Sequence, residues 1–227
     1  MTSLEADHSR PPTGSAHGRR RRALILTQAA ALFAERGFHA VGMDDIGAAA
    51  GVTGAAVYRH FANKSAVLVG LFGQVTEQLL DRARAIVDPD PDPDPNPDPN
   101  PDVEASAEPD GTSGSGSSTV LERLIASHVG FALAERNLIK VYAQESHNLP
   151  DATRGRLRRV QRLYAEEFVH VVADRRDDLT DAQARVLVHA AFGLMNSVAD
   201  HDPGIPAEQI APLLRDATLR MLTGRGA

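Results

Sequence analysis

Cysteine is missing from all 227 residues, which excludes disulfide scaffolds, thiolate zinc sites and cysteine nucleophiles and leaves His, Asp and Glu as possible metal ligands. No stretch approaches the roughly 18 to 20 consecutive apolar residues of a spanning helix. The N-terminal residues, with Glu5 and Asp7 and no apolar run, make a poor signal peptide. A cytoplasmic protein with no membrane partner is the expectation. No alternating apolar run is bounded by hairpin turns, so the chain reads as all-α. Its length suffices for one or two domains with a hydrophobic core. Lysine is scarce too: of 24 basic residues only Lys64 and Lys140 are lysines.

A net charge of -6 argues, by itself, against nucleic acid. The distribution reverses that argument. Residues 19–64 carry seven basic and three acidic side chains, whereas residues 88–110 carry nine acidic side chains and no basic one. One acidic run masks a basic N-terminal segment.

Four regions follow from the pattern. Residues 1–18, with Pro11, Pro12, Gly14 and Gly18 and few apolar side chains, read as a disordered arm. Residues 19–87 have helical spacing, beginning with Ile25, Ala29, Leu32 and Phe33 and stopping at Gly37. Residues 88–118 open with DPDPDPDPNPDPNPD and end in GTSGSGSS, an extended acidic spacer followed by a flexible one. The Asp repeat lacks the sharp Gly turn and the bidentate Glu of a calcium loop. Residues 119–227 divide into five helical segments: Thr119 to about Glu135, about Leu138 to Ser146, a long one capped by Asp151 and running to about Arg176, one capped by Thr180 and running to about Ala199, and one opened by Pro206.

The text between Gly37 and Lys64, GFHAVGMDDIGAAAGVTGAAVYRHFANK, carries the chemistry. Gly42 suits an N-cap, with Asp44 and Asp45 in the first turn, and Ile46, Ala49 and Ala50 form a short buried face ending at Gly51. A second short helix starts after Thr53 and buries Val57 and Phe61. Two short helices joined by a Gly-containing turn are a helix-turn-helix. With Val57 and Phe61 inside, Gly54, Ala55, Tyr58 and Arg59 face outward, small enough at the start for the backbone to enter a major groove roughly 12 Å wide. Tyr58 then donates to a phosphate, Arg59 reaches a guanine edge or a phosphate, and His60 lies beside the DNA backbone. Lys64 is a compact ammonium suited to a phosphate at the start of the next helix, which Asn63 caps. The bland alternative is that Tyr58 and His60 cover core edges and that Lys64 is a solvated first-turn charge. Arg19 to Arg22 form either a flexible arm that follows the minor groove or binds phosphates, or a solvated helix start.

ALFAERGF leading into MDDIGAAAGVTGAAVYRHFANK resembles the helix-turn-helix signature of the tetracycline-repressor (TetR) family of transcriptional regulators, over about residues 19–87. The resemblance implies a three-helix DNA-binding domain followed by a helical domain for effector binding and dimerisation. It places Thr53, Tyr58 and Lys64 at phosphate-contact positions, with Gly54, Ala55, Ala56 and Arg59 facing the bases. It also implies that the last two helices pair with a second subunit as a four-helix bundle, so that a homodimer meets a palindromic operator in double-stranded DNA. Val41 and Gly42 depart from the hydroxyl residues common in the family, and Asp44 stands where a cation is often found. The acidic spacer falls where the family joins its two domains.

In the second region, polar and aromatic residues within the helical stripes are candidates for a small-molecule pocket: His128, Phe131, Tyr142, Glu145, Tyr164, Phe168, His189, Phe192 and Asn196. Ordinary packing is the alternative for each. Arg154, Arg156, Arg158, Arg159 and Arg162 either receive a phosphate-bearing ligand such as an acyl-CoA or form a solvated face. The rival from another class is a metal-assisted hydrolase built on Glu145, Ser146, His147 and His189. Against it, no two of the nine histidines share i, i+4 spacing within one helix, and no nucleophile turn is present. A second rival is a helix-turn-helix protein gated by a protein partner. The expected function is a dimeric, ligand-responsive regulator, a repressor in preference to an activator, without cofactor or metal. Its effector would shift the balance between conformers that space the two reading helices differently.

Overall fold

The computed structural model describes residues 16–89, 119–201 and 204–224. Among these the chain forms α-helices and two 3-10 turns and no strand. Most of the proposed arm, residues 1–15, and nearly all of the acidic spacer, residues 90–118, lie outside the described residues.

The helices begin and end where local chemistry dictates. α1 (Ala16–Arg36) starts three residues earlier than the sequence pattern suggests, so Arg19 to Arg22 are helical. The Arg22 guanidinium lies 4.9 Å from the Phe61 ring centroid, covering the core edge. α1 stops at Gly37, whose φ of +80° closes the helix in the left-handed region that costs glycine little. α2 (Met43–Ala49) has Gly42 as N-cap, and Asp45 Oδ2 accepts the Gly42 N–H at 2.7 Å. α3 (Gly54–Tyr58) is capped by Thr53, whose hydroxyl accepts the Ala56 N–H at 3.2 Å. α4 (Lys64–Val87) opens with Asn63 Oδ1 accepting from Ala66 N–H at 2.8 Å.

Farther on, Thr119 and Glu122 form a reciprocal capping box for α5 (Val120–Ala134). α6 (Arg136–Glu145) leads through a 3-10 turn to α7 (Asp151–Ala173), in which Pro150 is the cap and Asp151 the first helical residue. Thr180 and Gln183 repeat the capping box for α8 (Asp181–Asn196), and Pro206 caps α9 (Ala207–Thr223).

The chain divides into two compact units, residues 1–71 with 141–149 and residues 72–140 with 150–227. The division falls inside α4 rather than after it, and the end of α6 belongs with the N-terminal unit. The core of that unit joins Ile25, Ala29 and Phe33 of α1 to Ile46, Val57, Phe61 and Leu68. The second unit packs Leu121, Leu124 and Ile125 of α5 against Tyr164, Phe168 and Val172 of α7 and Val188, Ala191 and Met195 of α8. Its rim carries a bidentate pair in which Arg185 donates to both oxygens of Glu166 at 2.9 and 2.8 Å and holds that carboxyl below its ordinary pKa.

The expected buried face of α2 is corrected, and the faces of α7 and α9 are set by the packing. Ala49 is exposed, and Met43 and Gly47 join Ile46 in the buried face of α2. Leu163 is exposed, because the buried stripe of α7 runs through Leu157, Tyr164, Ala165 and Phe168. In α9 the buried side chains are Ile210, Thr218 and Leu222, while Leu213 and Ala217 face out.

Candidate nucleic-acid interface

α2 and α3 meet at two glycines. A Cβ on Gly47 would stand 2.9 Å from both Gly54 N and Val52 O and 3.0 Å from Thr53 C, all backbone atoms. A Cβ on Gly54 would fall on the Asp44 carboxylate. Gly51, with φ +65°, turns the chain between the helices, and Val52 N–H donates to Gly47 O at 2.8 Å. Close approach of the two backbones therefore fixes glycine at position 47, while at position 54 the space of a Cβ is taken by the Asp44 side chain.

The expected outward face is corrected accordingly. Gly54 and Ala56 are buried with Val57, whereas Thr53, Ala55, Tyr58 and Arg59 are exposed and His60 is half-buried. Tyr58 is 56% exposed, a large aromatic presented to solvent by a five-residue helix. What remains of the predicted reading surface is Ala55, Tyr58 and Arg59, with Thr53 at its leading edge.

Lys64 is a second correction. Its ammonium donates to three backbone carbonyls, Phe38 O at 2.6 Å, Val41 O at 2.8 Å and His39 O at 3.1 Å, and sits 4.6 Å from the centroid of the Phe38 ring. All three of its donors are taken, so it braces the segment between α1 and α2. Sequence spacing placed it correctly at the start of α4 but could not show what it faced.

Glu145 is a third. Rather than lining an effector pocket, its carboxylate accepts the Phe38 N–H at 3.0 Å and the Asn148 side-chain amide at 2.7 Å, within the N-terminal unit. Phe38 thus has its N–H held by Glu145 and its carbonyl by Lys64. Tyr142, half-buried, belongs to the same unit. His189 is exposed on α8, near Glu166.

The other six candidates converge in the second unit. His128, 4% exposed, has Nε2 3.1 Å from Asn196 Oδ1 and Nδ1 2.9 Å from the Tyr164 hydroxyl. Asn196 Oδ1 accepts from Nε2, which leaves Nδ1 to accept the tyrosine hydrogen. The Phe131, Phe168 and Phe192 rings surround the imidazole, with centroids 5.9, 6.4 and 4.8 Å away. Burial drives the His128 pKa down to about 4, and burial raises that of Tyr164, so both are neutral at ordinary pH.

The arginines of α7 split. Arg154 pairs with Asp151, and Arg156, Arg158, Arg159 and Arg162 are exposed, as a solvated face would be. Among the described residues no three His, Asp or Glu side chains gather as a metal site; of the groups of the hydrolase reading, Glu145 serves Phe38 in the N-terminal unit and His189 belongs to the second. Among them, too, no helix is long and apolar enough to cross a membrane.

A family model for bacterial regulatory proteins of the tetR family matches residues 25–71, and one for the Tetracyclin repressor-like C-terminal domain matches residues 115–222. The chain belongs to the TetR family. Similar proteins include the HTH-type transcriptional activator FasR of Mycolicibacterium smegmatis, 32% identical over 88 residues that make up 37% of this chain and 40% of that one. The HTH-type transcriptional repressor KstR2 of Mycobacterium tuberculosis is 41% identical over 68 residues, 30% of this chain and 34% of its own. The chain thus spans at most two-fifths of these curated relatives. The solved KstR2 structure superposes with a TM-score of 0.65 at 20% identity, covering 90% of this chain and 94% of that one. A TetR-family regulator from Bordetella parapertussis gives 0.66 at 19% identity over 87% and 93%. At these identities the structures establish the TetR fold, all-α with an N-terminal helix-turn-helix and a C-terminal helical domain.

Proposed function

We propose that this chain is a DNA-binding transcriptional regulator whose α3 enters the major groove of a double-stranded operator and whose second unit responds to a small molecule. The observation that carries the reading is the surface of α3. A five-residue helix buries Gly54, Ala56 and Val57 against α2 while exposing Ala55, Tyr58 and Arg59, which gives a short probe with a cation and a hydroxyl on its free side. Tyr58 and Thr53 contact phosphates and Arg59 a base edge or phosphate.

The protein acts as a homodimer. In support, α8 and α9 expose Val186 (68%), Leu213 (65%), Ala190 and Ala217, apolar side chains in excess of what a solvated face needs, with His189 among them. A two-fold pair built there would meet a palindromic site. The effector enters around His128, Tyr164 and Asn196, neutral groups among phenylalanine rings, so it is an apolar molecule with one or two uncharged hydrogen-bonding groups rather than an acyl-CoA held by the α7 arginines. Repression with release by effector fits this arrangement, although FasR and KstR2 carry opposite regulatory labels.

The test is retention of genomic DNA fragments by the purified protein with and without cell extract. Enrichment of particular fragments that is lost on adding extract is expected. Retention no different from random DNA at near-physiological salt would refute the reading.

A further inference from the structure

Beside α3 lies a notch of about 220 Å³ that shares Arg59 with the reading surface and extends from it to the start of α1. Its floor is Val52 and Ala56, one wall is His17 and Arg21 on the first turns of α1, and the other is Arg59 and His60 at the end of α3. With Gly18, which completes the lining, all seven residues belong to the N-terminal unit. None of the lining residues is acidic, and two guanidinium and two imidazole groups converge on a volume below the roughly 300 Å³ at which effector pockets begin. The Arg21 guanidinium is 3.5 Å from His17 Nε2, so the α1 wall presents these two groups as one.

We propose that this notch grips a backbone phosphate of duplex DNA next to the bases that α3 reaches, with Arg21 and His17 as phosphate contacts not evident from the helix-turn-helix itself. The proposal rests on the DNA-binding reading above. A helix lying in the major groove has a phosphate ridge on either side. The start of α4 offers little to one ridge, because the Lys64 ammonium is spent on three carbonyls. The notch supplies a replacement cation on the α1 side of α3. The floor of Val52 and Ala56 offers no competing polar group, and Arg21 can present two parallel donors to phosphate oxygens. Of the four arginines at the start of α1, the fold thus singles out one: Arg21 lines the notch, while Arg20, one position around the helix, is exposed outside it.

The experiment uses the full chain and a fluorescein-labelled duplex selected by the wild-type protein from a random library, with Kd measured across a NaCl series. Each phosphate contact contributes about 0.9 to the slope of log K against log salt. Arg21→Gln is expected to lower that slope by about 1 and to weaken selected and random duplexes alike, Arg21→Lys to restore most of the slope, and Arg20→Gln to leave it unchanged. Ethylation interference gives a second readout. One phosphate per half-site should block wild-type binding when ethylated and have no further effect on Arg21→Gln. An unchanged slope in Arg21→Gln, an equal fall in Arg20→Gln, or no such phosphate overturns the notch. Failure of the wild-type protein to select any duplex refutes the DNA-binding reading itself, and the notch with it.

Discussion

Replacing Lys64 by methionine separates a brace from a DNA contact. Methionine keeps the length and apolar stem but removes an ammonium that donates to Phe38, Val41 and His39 carbonyls at 2.6, 2.8 and 3.1 Å. A hydrogen bond from a charged group contributes about 1.5–3 kcal/mol and a partly exposed cation over a ring about 0.5–1. The bonds share one ammonium and the His39 carbonyl is exposed, so they do not add, and the expected loss is about 2–4 kcal/mol. A solvated lysine would change stability by no more than about 0.5 kcal/mol. Urea denaturation followed by circular dichroism gives the loss. Hydrogen exchange over residues 37–46 locates it, because amides there should lose protection first. The salt slope of DNA binding should not change. If Lys64→Met were as stable as wild type and its slope fell by about 1, the ammonium would be a phosphate contact and the reasoning from its three carbonyls would be wrong.

Three other perturbations test the same structure. Gly47→Ala forces a methyl against three backbone atoms at 2.9–3.0 Å; overpacking costs about 1–3 kcal/mol against a helix gain of about 1, so a net loss and weakened DNA binding are expected, while Gly54→Ala, which need only displace the Asp44 side chain, is closer to neutral in urea melts. Glu145→Ala leaves the buried Phe38 N–H without an acceptor and should cost about 1–3 kcal/mol, whereas Glu145→Gln retains a carbonyl for it and should lose less than half as much. For His128 the sign is fixed by a folded pKa of about 4 against an ordinary 6.5: the unfolded chain takes the proton first, so the stability from burying a neutral ring is complete above about pH 6.5, falls with pH and levels off below about 4. The difference is about 3 kcal/mol, and in His128→Gln the decline over that window should be shallower by that amount.

Helix ends were legible because they rest on neighbours in sequence. Gly37 needs only its own φ, and Thr53, Thr119 and Thr180 need only an N–H three residues on. The helix-turn-helix was legible for the same reason, as its signature is continuous. Smallness proved ambiguous. A glycine at position 54 satisfies a groove or a neighbouring helix equally well in text, and only the packing of Gly47 on its backbone decides for the helix. Glu145 was misread because its partner, Phe38, is 107 positions away. His189 shares a flank of α8 with Phe192 and Asn196, but one turn earlier that flank lies open, and periodicity has no knowledge of where a neighbouring helix stops. Arg21 carried no signal separate from the three arginines around it until α1 was set against α3.

The most direct test of the central claim is enrichment of random duplexes by the wild-type protein and by Arg59→Ala, sequenced side by side at near-physiological salt. A two-fold symmetric motif is expected from the wild type, with preference relaxed at one position in each half for Arg59→Ala. A wild-type library that stays random after repeated rounds would contradict the claim that the exposed side of α3 reads DNA.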